Sequence, residues 1–209
     1  MAEHERTGAG DREEWDARYG DHHQVWSGRP NGSLVAEVAG LPPGTALEVA
    51  CGEGADAIWL AARGWSVTAT DVSEVAVTRA RRAAEEAGAD IRWDCRDLVA
   101  DGPPDGRFDL VTCMYPALRR TADDRVIAGL LGAVAPGGTL LFVHHAHEHD
   151  AAHGHEATFD PADYVQPADV ASRLGDGWVV VANDERPRPD APADARHLVD
   201  VVLVARRSS

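Results

Sequence analysis

The sequence predicts an α/β fold, a doubly wound, mostly parallel sheet preceded by helices. Three observations carry that reading. Short apolar or β-branched runs alternate with helical stretches, the spacing of parallel strands joined by crossover helices. Leu47-Glu-Val-Ala-Cys-Gly-Glu-Gly54 runs from a buried segment through two glycines into the apolar stretch Ala55–Ala62. That is a strand, a tight turn and a helix, the polar cradle of a nucleotide-like ligand. Two further strands are expected after the repeated strand–helix units.

The elements follow in order. Residues 1–11 are charged, glycine-containing and without periodicity, and read as a disordered terminus. A helix is expected from Glu13 to Gly20, with Trp15 and Tyr19 four apart on one face. Residues 21–32 form a loop punctuated by Gly28, Pro30 and Gly32. A second helix runs Leu34–Ala39, with Ser33 as its cap. Strand one is Ala46–Ala50 and its helix 55–63, stopped by Gly64. Strand two is Trp65–Thr70, closed by Asp71. The next helix opens on Ser73 and closes at Gly88. Strand three is Ile91–Cys95, strand four Phe108–Met114, then a helix over 122–134. Ala135-Pro-Gly-Gly138 is a turn before strand five, Thr139–Val143. A histidine-rich loop covers 144–160, a helix 167–174, and strands 178–183 and 197–205 flank the proline-rich linker 186–192. Residues 12–209 are read as one domain, in which 12–40 supply helices and a lid.

Composition narrows the function. The net charge of −15, from 20 basic and 35 acidic residues, repels phosphate backbones, so nucleic acid is not expected as a partner. No apolar run approaches the ~20 residues of a membrane helix. The N-terminus has no signal-peptide core, and the three cysteines show no C-x-x-C spacing. A cytoplasmic protein with reduced thiols is the expectation. Arg79, Arg81 and Arg82 read as a solvated helix face.

Gly52-Glu-Gly54-Ala-Asp-Ala57 is formally the dinucleotide pattern G-x-G-x-x-A, with Asp71 at the distance that suits ribose hydroxyls. Glu48 tilts against a nicotinamide cofactor. A carboxylate inside the first strand suits a ligand bearing an ammonium group. Two helices before that strand, and no second domain for a hydride acceptor, point the same way.

Taken together, Glu48-x-x-Cys51-Gly52-x-Gly54, Asp71 ending strand two, Asp97-Leu98 after strand three and the Ala135-Pro-Gly-Gly138 turn resemble a class I S-adenosylmethionine-dependent methyltransferase over about residues 15–206. Trp15-Asp-Ala-Arg-Tyr19, Gln24, Ser27-Gly-Arg-Pro-Asn31 and Leu34 are more loosely similar to the thiopurine and tellurite-resistance methyltransferases. The resemblance implies a Rossmann-like sheet of order 3-2-1-4-5-7-6 with a terminal antiparallel strand. It implies S-adenosylmethionine as cofactor and S-adenosylhomocysteine as product. Cys51, Gly52 and Gly54 would flank the methionine part and Glu48 its amino group. Asp71 would take the ribose hydroxyls, Val72 the adenine face, and Asp97 and the Leu98 amide the adenine edge. For Asp71 and Asp97, helix capping or turn formation is the simpler alternative.

In open α/β sheets the chemistry sits at the carboxyl ends of the strands. Met114 and Tyr115 lie just past strand four, His144 and His145 just past strand five, and Trp26 on the N-terminal loop could cover the same opening as a lid. Tyr115, His144 and His145 are the candidate catalytic or acceptor-side residues. Six of the ten histidines fall within residues 144–155. They read as a solvated loop, as substrate contacts or a base, or as a metal tract. The spacing fits no ordered metal motif, and no metal site is expected. The acceptor is expected to be a small molecule with an S, Se/Te, O or N nucleophile, and the protein a monomer or homodimer. A nicotinamide-dependent oxidoreductase, or a non-catalytic cofactor- or metal-binding protein using the histidine loop, are the alternatives.

Overall fold

A computed structural model describes residues 8–146, 160–189, 191 and 197–209. Seven strands form one sheet: β1 Thr45–Val49, β2 Ser66–Asp71, β3 Ile91–Cys95, β4 Phe108–Met114, β5 Val134–His145, β6 Trp178–Pro187 and β7 Val199–Arg207. Their order is β3-β2-β1-β4-β5-β7-β6. Strands β1 to β5 pair in parallel. Strand β7 runs antiparallel to both β5 and β6. This is the order and the terminal antiparallel strand that the resemblance implied.

Helices cover both faces: α1 Gly8–Gly20, α2 Gly32–Val38, α3 Ala55–Ala61, α4 Glu74–Ala87, α5 Leu98–Asp101, α6 Arg125–Ala133 and α7 Pro167–Ser172. Alternate residues of the strands feed two cores. Leu141 and Val143 join Leu34, Trp59 and Leu60 on one side, and Leu140 and Phe142 join Ile127, Leu130 and Val170 on the other. No helix among the described residues is long and apolar enough to cross a membrane.

Several boundaries differ from expectation. Helix α1 begins at Gly8, so residues 8–11 are helical, not disordered. Asn31, not Ser33, is the N-cap residue of α2; Ser33 lies inside the helix and its hydroxyl is used elsewhere. Asp97 caps the unforeseen α5, accepting from the Val99 and Ala100 amides. The Ala135–Gly138 turn is a bulge inside β5, where the pairing jumps from Phe108↔Val134 to Leu110↔Thr139. Strand β5 also runs on through His144 and His145, which are therefore strand residues and not loop. The expected termination of β6 at Asn183 fails because its pairing with β7 continues to Pro187↔Val199. His147, His149, His153 and His155 lie outside the described residues, as do residues 1–7 and residues 190 and 192 of the proline-rich linker.

Candidate active site

The carboxyl ends of β1 to β5 and the start of β7 share one edge of the sheet, because β7 runs the other way. The cofactor-side candidates lie over β1, β2 and β3. Glu48 sits within β1, is 2% exposed, and its Oε2 has no hydrogen-bond partner. Its ladder neighbour on β4, Thr112, is fully buried and has an Oγ1 equally without a partner. Two buried oxygens without partners, on neighbouring strands, are expensive unless something polar meets them. Burial, then the nearby carboxylates of Asp56 and Asp71, pushes the Glu48 carboxyl well above its ordinary range. Among the described residues no cationic side chain bonds any of these three buried carboxylates, an arrangement suited to a cationic ligand group.

Asp71 ends β2. Its Oδ2 accepts from the Gly52 amide at 2.8 Å and its Oδ1 from the Ser73 amide at 2.9 Å. The carboxylate thus ties the glycine turn to the start of α4. The turn-forming alternative for Asp71 is realised, and each oxygen keeps a further lone pair for a ligand hydroxyl. Val72 is half-buried beside it, Leu98 is buried, and the Cys51 thiol is pushed up by burial and by Asp71.

The two glycines do different things. Both hold left-handed φ, +53° at Gly52 and +83° at Gly54. A Cβ on Gly54 would lie 2.8 Å from Ala80 Cβ and 2.8 Å from Trp93 Cη2, so Gly54 serves helix-to-strand packing. A Cβ on Gly52 would meet the Trp26 indole and the Tyr19 hydroxyl, each at 3.0 Å. Of the two, only Gly52 therefore faces the N-terminal segment that carries Trp26.

The N-terminal segment that carries Trp26 is tied to the turn. Glu53 accepts from the Val25 amide at 3.1 Å and the Trp26 amide at 2.9 Å, and pairs with Arg79 at 3.0 Å. Arg79 also donates to the carbonyls of Tyr19 and His22, both at 2.6 Å. It is not part of a solvated face, unlike Arg82, which pairs with Glu86 on the surface. Trp26 Nε1 donates to the Tyr19 hydroxyl at 2.8 Å. Asn31 donates twice to Asp56 at the start of α3.

The acceptor-side candidates gather over β4, β5 and β7. Tyr115 takes a strained φ of +52° while its amide donates to the Val143 carbonyl at 2.9 Å. Its hydroxyl donates to Asp200 Oδ2 at 2.6 Å, and Ser33 Oγ donates to the same oxygen at 2.7 Å. His145 is the direct ladder partner of Asp200, and its Nδ1 lies 3.2 Å from Asp200 Oδ1. The His145 ring stacks between Tyr115 and His197, with both centroids 4.2 Å away. Asp200 is fully buried. Burial alone would raise its carboxyl, but the three donors outweigh burial and hold it below the ordinary range. Burial, then donation to Asp200, keeps the Tyr115 phenol protonated far above neutral pH.

His144 projects from the opposite face of β5, buried, and accepts the His145 amide on Nδ1 at 3.2 Å. It is not brought to Asp200. Met114 is buried in the core, packed with Leu141 and Val143. Among the described residues no cluster of three or more histidine, cysteine or acidic side chains could hold a metal ion. Sequence reasoning missed Asp200, Ser33, Glu53 and Arg79.

Comparison with known proteins agrees with the fold. Residues 46–138 match the model of a methyltransferase domain. A ubiquinone biosynthesis O-methyltransferase of Coxiella burnetii is 33% identical over 96 residues, 46% of this chain and 41% of that protein. The chain thus matches less than half of that relative's length. A solved chain described with the conversion of a disulfide bond into a thioacetal group during echinomycin biosynthesis is 25% identical, with a TM-score of 0.73, covering 95% of this chain and 92% of its own. The N-methyltransferase NodS of Bradyrhizobium japonicum, solved with S-adenosylhomocysteine, is 19% identical with a TM-score of 0.68, covering 94% and 98%. The narrower likeness to thiopurine and tellurite-resistance enzymes rests on the N-terminal motif alone. The motif set, the strand order and the matched domain agree on a class I S-adenosylmethionine-dependent methyltransferase fold.

Proposed function

We propose that the protein transfers a methyl group from S-adenosylmethionine to a small-molecule nucleophile at this sheet edge. The observation that carries the reading is the unpartnered, buried Glu48 Oε2 beside Thr112 and the Gly52 turn. A cationic amino group is the ligand chemistry such a carboxylate fits, and a nicotinamide dinucleotide offers none at that place. Glu48 would hold that amino group, Gly52 and Cys51 would line the methionine part, and Asp71 would receive the ribose hydroxyls. Asp97, Val72 and the Leu98 amide would meet the adenine. When bound, the cofactor supplies a methyl group already activated on a sulfonium.

What the chain's own residues contribute is alignment and exclusion of water. Trp26 and the segment tied to Glu53 cover the turn. Tyr115 and His145 border the acceptor space from β4 and β5. The net charge of −15 supports a small acceptor and speaks against a nucleic-acid partner. The test is a transfer screen with methyl-labelled cofactor across phenols, alcohols, amines, thiols, halides and metalloid anions. Label in at least one small product supports the reading. Label only in protein or RNA would overturn the acceptor class.

A further inference from the structure

We propose that His145 and Asp200 act as a proton-accepting pair, and that the acceptor is a hydroxyl compound, a phenol or alcohol, which arrives protonated. The proposal rests on the methyltransferase reading and adds the substrate class to it. Asp200 is reached by donors from three elements: Ser33 on α2, Tyr115 past β4 and His145 on β5. Three donors to one fully buried carboxylate fix its position on every side. When His145 Nδ1–H is given to that carboxylate, Nε2 carries the free lone pair. This is the orienting role a buried aspartate plays in hydrolase triads, where it holds one tautomer and steadies the imidazolium that forms.

The stacking limits how the imidazole can be used. Tyr115 covers one ring face and His197 the other, with interplanar angles of 26° and 8°. The side chain is 19% exposed, so approach is along the ring edge. Around it stand Asp200 and His197 from the β7 side, Tyr115 with the Arg188 guanidinium 5.4 Å from its ring, and His144 on its own strand. A guanidinium so near disfavours an ammonium acceptor. A thiolate or metalloid anion has no proton to give and would leave the pair without a task. A hydroxyl does need it. The O–H bond breaks, and its proton passes to His145 Nε2. The oxygen forms a bond to the methyl carbon. The methyl–sulfur bond of the sulfonium donor breaks with its electron pair left on sulfur, giving a neutral thioether and an imidazolium held by Asp200.

The test uses the full chain as wild type, Asp200→Asn and His145→Gln. Nitrogen-15 imidazole spectra should show His145 protonated on Nδ1 in wild type and redistributed toward Nε2 in Asp200→Asn. With a panel of phenols and alcohols headed by catechol, His145→Gln should lower kcat by ~10²–10⁴-fold with KM little changed. Asp200→Asn should lower kcat at least about tenfold. Calorimetry with S-adenosylhomocysteine checks that each variant folds. A wild-type His145 protonated on Nε2, hydroxyl turnover unchanged in His145→Gln, or methylation confined to thiols such as 4-nitrothiophenol would overturn the pair while leaving the methyltransferase reading intact. Failure of wild type to bind S-adenosylhomocysteine would overturn both.

Discussion

Replacing each turn glycine by alanine separates packing from ligand approach. Both positions carry left-handed φ, so alanine at either costs about 1–2 kcal/mol of backbone strain. The smaller unfolded-state entropy of alanine returns about 0.4–1 kcal/mol. The neighbours then decide. At Gly54 the new methyl lands 2.8 Å from Ala80 Cβ and 2.8 Å from the Trp93 ring. Ala80 is fully buried on α4, so the helix must shift, an overpacking term of about 1–3 kcal/mol. At Gly52 the neighbours, at 3.0 Å, are the far ends of the Trp26 and Tyr19 side chains, and the Trp26 ring, 46% exposed, has room to give by a few tenths of an ångström. Gly54→Ala should therefore lose about 1–4.6 kcal/mol and Gly52→Ala about 0–1.6 kcal/mol. For a chain of this size that is roughly 2–18 °C in Tm against at most about 6 °C. Differential scanning calorimetry without ligand reads both. Gly52→Ala should show its main effect on S-adenosylhomocysteine affinity. Equal loss of Tm in the two variants, or a larger loss at Gly52, would refute the assignment of Gly54 to packing.

Three further outcomes are expected. Burial raises the carboxyls of Glu48, Asp56 and Asp71 in the folded state. Folding then favours their protonated forms, and the ligand-free protein loses stability as pH rises from about 4 through the raised values. Tm of Glu48→Gln minus that of wild type should be more positive at pH 8 than at pH 5; a pH-independent difference would contradict it. Glu53→Ala removes the acceptor shared by Val25, Trp26 and Arg79, so limited chymotrypsin digestion should cut after Trp26 faster than in wild type, and an unchanged rate would show the latch to be idle. Tyr115→Phe removes one of the donors to Asp200 but not the ring stack, and should cost about 1–2 kcal/mol in denaturant unfolding, because a charged acceptor loses a partner.

The sheet was readable because strand and helix periods, glycine stops and the Ser73 cap all agree locally. Side chains that act across long separations were not. Ser33 has the composition of a cap, yet its partner lies 167 residues away on β7. Asp200 belongs to no motif, although a lone acid in Val199-Asp-Val-Val-Leu-Val204 is the same signal that singled out Glu48. Arg79 was masked by its neighbours Arg81 and Arg82, and only the fold shows that it turns toward Glu53. His144 and His145 looked equivalent in sequence. The period of a strand puts them on opposite faces, and that becomes visible once β5 is seen to run through both.

The claim that Glu48 selects the cofactor is tested most directly by calorimetric titration of wild type and Glu48→Gln with S-adenosylmethionine, S-adenosylhomocysteine and NAD. Both sulfur compounds should bind wild type and NAD should not. Glu48→Gln should weaken their binding by about 10–100-fold, the loss of a hydrogen bond between charged groups of roughly 1.5–3 kcal/mol. NAD binding in the absence of either sulfur compound, or equal affinity in wild type and Glu48→Gln, would contradict the account.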